Sequence, residues 1–374
     1  MKYINFNNAG SSRPFSDVNS AISNFLEIEN RYGGYFATEK YKEKLNGFYN
    51  NLSRLINCRN EEISFSSSTT LAWNIFFNSF EISKNQNIII FENEYGSNLI
   101  YYRKQNLNLK IVKITSNGKV CCKDLKKKID KNTKIVCLCH VASQCGERME
   151  AEKIGKLIHS INPNILFVVD ACQSIGQIEV DVKKIDCDVL VGSGRKYLRG
   201  PRGTGFIFIK NSIRKNLQPL ILDLRNTKLT KKGLKVSKAN IFENFEYSPA
   251  LKIGLSKAIE KINLFGIKKI EFDIAKKSKY LRKKLEYFND ISFFENKECL
   301  TGINTLRIRG YSTHQLYQYL LSKKILTSIS SYSSSSLYFK KKLVNDILRI
   351  SLHQYNTFDE INYLIKCLID LIKK

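Results

Sequence analysis

The chain has 374 residues, 43% of them hydrophobic, with 61 Lys+Arg against 34 Asp+Glu and a formal net charge of +27. The hydrophobic share excludes general disorder, and 19 glycines and 5 prolines exclude collagen-like and Pro-rich classes. No run approaches the roughly 18–20 apolar residues of a membrane span, and the charge, mostly lysine in scattered KEK, KKK and KK pieces without an arginine–aromatic stripe, reads as solvated surface rather than a nucleic-acid face.

In chain order, MKYINFNNAGSSRPF has no apolar signal core, so a cytoplasmic chain is expected. ISFSSSTTLAWN (63–74) predicts a strand that ends in Ser/Thr residues at a helix start. Hydroxyls and free N–H groups there suit an anion, and an ordinary Ser/Thr cap uses the same residues without one. NIIIFEN (87–93), LKIVKITS (109–116), TKIVCLCHVA (133–142), ILFVVDAC (165–172), CDVLVGS (187–193) and GTGFIFI (203–209) read as buried strands. Helical candidates at 67–80, 95–104 and 149–161 alternate with them, which predicts an α/β domain with a mostly parallel sheet. From about residue 250 the pattern changes. Segments 249–266 and 267–288 have helical spacing, 302–310 and 346–354 read as short strands, and 357–374 reads as an amphipathic helix opened by a Thr/Asp cap. Ser330–Ser336 reads as a polar loop. The ten cysteines form no CxxC pair, and the four histidines give no zinc spacing. Most of these thiols adjoin apolar runs, so buried free cysteines are expected, with no disulfide framework and no metal. Cys299, ahead of the 301–310 strand, reads as a half-buried structural thiol.

Chemistry concentrates in the α/β half. VVDACQSIGQ (168–177) puts Asp170 at the carboxyl end of an apolar strand, where open α/β sheets present ligands and where a helix N-cap also sits. VLVGSGRKYLRGPRGTGFIFI (189–209) is a strand, a Gly-rich turn and a strand. Its turn carries Ser193, Arg195, Lys196, Arg199 and Arg202, which suits an anion, an amine nucleophile or a basic surface hairpin.

The order and spacing of these motifs resemble the class V aminotransferase and cysteine desulfurase family. DACQSIGQ and SGRKYLRGPRGTGF carry the likeness, which runs from NNAG (7–10) to the C-terminus. The resemblance implies fold type I of the pyridoxal-phosphate (PLP) enzymes: a large α/β domain with a mostly parallel, seven-stranded-type sheet and a smaller α+β C-terminal domain. The expected boundaries are 1–20 for an N-terminal segment joining the small domain, 21–248 for the PLP-binding domain and 249–374 for the small domain. Carried over by position, Lys196 matches the lysine that holds the cofactor and Asp170 the acid that pairs with the pyridine nitrogen. Gln173 matches the residue near the phenolic oxygen, while Thr69, Thr70 and Ser193 match the phosphate-binding groups. In EYGSN (94–98) Tyr95 stands where the family has a histidine stacked on the ring. In HVASQCG (140–146) Ser143 stands where an asparagine is usual. Arg349 in RISLHQYNT matches the arginine that holds the substrate carboxylate, with Asn8, Ala9 and Gly10 passing over the same pocket. FENFEYSPA (242–250) resembles the segment that reaches a neighbouring subunit's cofactor phosphate, and a homodimer is expected.

Desulfurases of the family carry a mobile cysteine before the carboxylate arginine, and the corresponding segment, Ile325–Phe339, has none. Arg195, in place of the usual histidine before the lysine, resembles the subgroup of the ergothioneine-pathway C–S lyase. The resemblance therefore implies β-elimination from a cysteine conjugate or its sulfoxide, with Arg195, Arg199 and Arg202 near an acidic or sulfoxide group. An aminotransferase, a desulfurase-like enzyme or an amino-acid epimerase would use the same PLP site, and a basic nucleic-acid binder on an inactive scaffold is the remaining alternative.

Overall fold

The computed structural model describes residues 3–236, 241–298 and 300–373. Cys299 lies outside them. The first half contains β1 (Ile4–Asn5), β2 (Ile63–Ser66), β3 (Asn87–Phe91), β4 (Asn108–Val112), β5 (Thr133–Cys139), β6 (Leu166–Asp170), β7 (Val189–Ser193) and β8 (Gly205–Ile209). Strands β2–β8 form a seven-stranded sheet in the order β2-β8-β7-β6-β5-β3-β4. β8 is antiparallel to both neighbours, and the other pairs are parallel. This is the mostly parallel α/β sheet expected.

The strands read as continuous apolar runs because both faces are covered. Ile89, Phe91, Val136, Leu138, Phe167 and Val169 join one core, which also takes Phe48, Ile154 and Ile259 from the helices Lys42–Ile56, Ala151–Ile161 and Pro249–Phe265. Their alternates Ile88, Ile90, Ile135, Cys137 and Val168 join the other, against Trp73 and Phe76 of the helix Thr69–Phe77 and Leu99 and Tyr102 of the helix Gly96–Lys104. Each fully buried side chain of this size contributes about 1.5–3 kcal/mol, so the period of two along each strand fixes its register.

After β8 come a hairpin, β9 (Thr227–Thr230) and β10 (Gly233–Val236), and the long helices Pro249–Phe265 and Ile267–Leu285. Ser248 caps the first of these, with Pro249 at its opening position, and Gly266 at φ 80° separates it from the second. A second sheet then forms from β11 (Ile291–Phe293), β12 (Ile303–Ile308), β14 (Ser328–Ser331) and β15 (Asp346–Ser351), all antiparallel, in the order β11-β12-β15-β14. Leu281, Leu316, Leu364 and Leu368 pack from the helices onto Leu306, Leu348 and Ile350 of this sheet. The C-terminal helix Phe358–Ile372 opens on a capping box in which Thr357 Oγ1 accepts the Glu360 N–H at 3.1 Å. β1 pairs in parallel with β13 (Ile325–Leu326), so the N-terminus is stapled to this second half.

The expected polar loop Ser330–Ser336 is not a loop. Its serines continue β14, then form a 3-10 turn at Tyr332–Ser334 and open the helix Ser336–Lys342. Pairing with β15 satisfies the backbone there, so the run needs no intrinsic strand propensity. The nine described cysteines are free. Among the described residues no His/Cys/Asp/Glu group could hold a metal, and no helix is long and apolar enough to cross a membrane.

Candidate active site

The carboxyl ends of the parallel strands and the turn before β8 surround a cleft. Open α/β sheets place ligands at such an edge. β2 leads into Ser67 and Ser68, and Ser68 Oγ accepts the Leu71 N–H at 3.1 Å to cap the helix Thr69–Phe77. The first amides of that helix have no partner within it and suit an anion. Thr69 Oγ1 donates to the Gly192 carbonyl at 2.9 Å and accepts from Cys172 Sγ at 3.0 Å. β8 comes close to the turn: a Cβ on Gly205 would lie 2.9 Å from Ser68 C and Thr69 N.

β6 ends on Asp170, which is buried. Its Oδ1 accepts the Cys172 N–H at 2.9 Å and its Oδ2 accepts from Asn98 Nδ2 at 3.3 Å. Gln173 Nε2 donates to the Ala9 carbonyl at 3.1 Å, while Gln173 Oε1 is buried without a partner among the described residues. β7 ends on Ser193 and leads into the turn that carries Arg195 and Lys196. Lys196 is buried, and its Nζ makes no hydrogen bond among the described residues. Burial pushes its pKa down, against the opposing pull of Cys172 and Asp170. Arg195 Nη1 donates to the Gly10 carbonyl, and the Ser12 N–H donates to the Arg195 carbonyl at 2.9 Å, so the N-terminal segment lies along this turn.

The cleft wall brings together Thr69, Thr70, Tyr95, Ser143, Asp170, Gln173, Ser193, Arg195 and Lys196. Arg349 does not line the cleft itself but lies against Ser143, which does. Its Nη1 donates to the Ser143 carbonyl at 2.8 Å and its Nε to Ser328 Oγ at 3.0 Å. Burial lowers its pKa. Ala9 and Gly10 touch the wall through their carbonyls. Asn8 does not: it is fully buried, and its Nδ2 donates to the Ser351 carbonyl at 2.7 Å and to Asn356 Oδ1 at 3.2 Å. Its amide staples the N-terminal segment to β15, leaving no group for a substrate. Of the three clustered arginines only Arg195 lines the cleft. Arg199 is turned away and held between the rings of Phe15, at 3.8 Å, and Tyr355, at 4.5 Å. Ser67, Ser68, Asn98, Cys139, Cys172 and Thr204 line the cleft without having been singled out. Asn98 had a signal, four residues after Glu94 at a helix start, whereas Cys139 and Cys172 looked like small buried hydrophobes.

The residues fit PLP on features of their own. The site offers the buried amine of Lys196 for an aldehyde, a buried carboxylate for a ring nitrogen, an amide oxygen at Gln173 that has no partner among the described residues, and a hydroxyl-rich helix start for a phosphate.

The profile of the family Aminotransferase class-V matches residues 4–364. A probable cysteine desulfurase of Borreliella burgdorferi is 30% identical over 402 aligned positions, covering 100% of this chain and 93% of the relative. The apo structure of a cysteine desulfurase from Thermococcus onnurineus superposes with a TM-score of 0.90 at 25% identity, covering 99% of this chain and 95% of that one. The cystine C–S lyase C-DES, solved with its reaction product cysteine persulfide and, as a mutant, with glycine covalently linked to its PLP cofactor, shares the fold at TM-score 0.88 and 17% identity, over 98% of this chain and 96–97% of that one. With a family match across nearly its whole length, a mostly parallel sheet and a cleft built for PLP, this chain belongs to the class-V aminotransferase family of PLP-dependent enzymes.

Proposed function

We propose that this enzyme is a C–S lyase that cleaves a cysteine conjugate by β-elimination. The observation that carries the reading is the state of the thiols at the cleft. The segment where family desulfurases present their cysteine is the Ser-rich β14 and the turn after it. Among the described residues the cleft thiols are Cys139, the last residue of β5, and Cys172, two residues past β6. Burial, with Asp170 beside it, pushes Cys172 up to about 12, and burial and Glu94 hold Cys139 well above the usual thiol range. Such groups are poor thiolates and poor carriers of sulfur. Elimination needs no thiol.

Bound in the cleft, PLP supplies a conjugated ring that takes up the electron pair of a breaking Cα–H bond. Asp170 keeps a proton on the ring nitrogen with its carboxylate. Lys196, its amine pKa lowered by burial, takes the Cα proton at Nζ. Arg349 binds the substrate carboxylate, and Arg195 faces the leaving group. The C–S bond then breaks, its electron pair leaves with sulfur as a thiol from a conjugate or a sulfenic acid from its sulfoxide, and one water converts the remaining three-carbon fragment to pyruvate and ammonium. The Arg195 feature resembles the ergothioneine-pathway lyase subgroup, and a conjugate or its sulfoxide is the substrate class. The enzyme works in the cytoplasm, a reading supported by the nine free cysteines among the described residues, and as a homodimer, supported by the exposed apolar hairpin β9–β10.

The test supplies cysteine, cystine, cysteine S-conjugates and their sulfoxides to the PLP-loaded protein. From each compound that is cleaved, pyruvate and ammonium are expected in equal amounts with one equivalent of the sulfur leaving group: sulfide from cysteine, a persulfide from cystine, a thiol from a conjugate and a sulfenic acid from its sulfoxide. Alanine and persulfide from cysteine without pyruvate would overturn the lyase in favour of the desulfurase that the curated relatives are named for. Accumulation of pyridoxamine phosphate would overturn it in favour of transamination.

A further inference from the structure

A second carboxyl, which the proposed reaction does not use, is hydrogen-bonded to three residues of the cleft wall. Glu94 lies just after β3 and is only 1% exposed. Its Oε1 accepts from the Tyr95 N–H at 2.8 Å, from Asn98 Nδ2 at 3.0 Å and from Cys139 Sγ at 3.2 Å. The same Asn98 Nδ2 lies 3.3 Å from Asp170 Oδ2. One amide thus bridges two buried carboxyls that come from different strands. An amide nitrogen has two N–H donors, and both are used here. With Asp170 Oδ1 held by the Cys172 N–H, the plane of the Asp170 carboxyl is fixed from two sides.

The type of donor matters as much as its place. A lysine or arginine at position 98 would pair with Asp170 and neutralise it. A neutral amide orients the carboxylate and leaves its charge for the group in the cleft. We infer that Asn98 and Glu94 are positioning residues for Asp170: Asn98 sets the orientation of the carboxylate, and Glu94 sets the orientation of Asn98. The inference rests on the reading of Asp170 as the partner of the PLP ring nitrogen.

The test compares Asn98→Leu, Glu94→Leu and Glu94→Gln with the wild-type chain. It measures the PLP dissociation constant, the pH midpoint of the bound-cofactor absorbance and the melting temperature of the holoenzyme. Asn98→Leu is expected to bind PLP about tenfold more weakly, as loss of a charge-assisted hydrogen bond implies, and to move the absorbance midpoint. Glu94→Leu behaves the same way. Glu94→Gln retains wild-type values, because its amide oxygen accepts the same three bonds. Asn98→Ala, which adds no bulk, carries the same expectation as the leucine variant if that variant does not fold. A folded Asn98 variant with wild-type affinity and absorbance overturns the inference alone. Wild-type protein that takes up no PLP overturns the cofactor reading and the inference with it.

Discussion

Gly176 lies inside the DACQSIGQ motif at φ +88°, and a Cβ there would sit 2.5 Å from the carbonyl carbon of Tyr197, next to Lys196 in the chain. The added Cβ is fixed directly on its Cα and the atom it meets is backbone, so neither can swing away. Gly176→Ala is expected to cost about 1–2 kcal/mol for the left-handed conformation, plus the displacement of the Lys196 turn. Thermal unfolding should show a lower melting temperature and PLP titration a weaker affinity; an unchanged affinity would mean that the turn is not set by this contact. Arg349→Lys tests the other end of the site. The guanidinium spends two donors on Ser328 and Ser143 and still has others for a carboxylate, whereas a lysine has three donors on one atom. KM for an amino-acid substrate should rise about 10- to 100-fold, the range for a lost hydrogen bond to a charged group, with PLP affinity unchanged. At this scale the sequence was informative where a motif mixes glycine with charge, as in SGRKYLRGPRG. It could not reveal direction. Asn8 and Asn98 are both asparagines within motifs, yet Asn8 faces β15 and Asn98 faces Asp170, and only the fold decides which.

The elements of the large sheet were legible because strands covered on both faces leave long apolar runs, and Ile88, Ile89 and Ile90 have no solvent side to encode. β14 was not legible, since its pairing partner β15 rather than its own serines makes it a strand. The ionic contacts at the end of the sheet opposite the cleft were equally hidden, because their members come from separate elements. His159, on the helix Ala151–Ile161, places Nδ1 2.6 Å from Asp186 Oδ2 and Nε2 3.4 Å from Asp188 Oδ2. Lys210, after β8, reaches the same two carboxylates at 3.0 and 3.2 Å. Asp188 and Asp186 push His159 up to about 9. An unfolded histidine titrates near 6.5, so between the two values the folded chain holds the extra proton. The contribution is therefore complete below about 6.5 and disappears as pH rises through about 9. His159→Gln should destabilise the chain by about 1–3 kcal/mol at pH 6, and the gap from wild type should close by about pH 10. Denaturant titrations at both pH values would show this, and an equal gap at the two would rule out the ion pair as its source.

Across the whole molecule, the net charge of +27 and the apolar hairpin make opposite predictions about salt. On the β9–β10 ribbon Leu229 pairs with Leu234 across the ladder, and the two are 83% and 65% exposed. Lys228 pairs with Lys235 on the other face, a like-charge contact that weakens the ribbon. A two-stranded hairpin is marginal in water, and this one borders an apolar groove with Leu222, Leu224 and Phe245. A second copy of the chain is the proposed cover, and wild-type protein should sediment at twice the 43.2 kDa chain mass. Replacing Leu229 and Leu234 together by lysine should give a monomer, and a wild-type monomer would refute the dimer directly. Two chains of this charge repel, and screening shortens the reach of that repulsion from about 10 Å at 0.1 M salt to about 3 Å at 1 M. Self-association through leucines should therefore tighten as salt is added. Binding of a nucleic acid by the same lysines would go the other way, because released counterions oppose it at high salt. One salt series, followed by sedimentation with and without duplex DNA, separates the two uses of the charge. Tightening of the protein–protein contact with no DNA contact even at low salt assigns the lysines to solvated surface and the leucines to the dimer, whereas a DNA contact that is lost as salt rises assigns the lysines to nucleic acid.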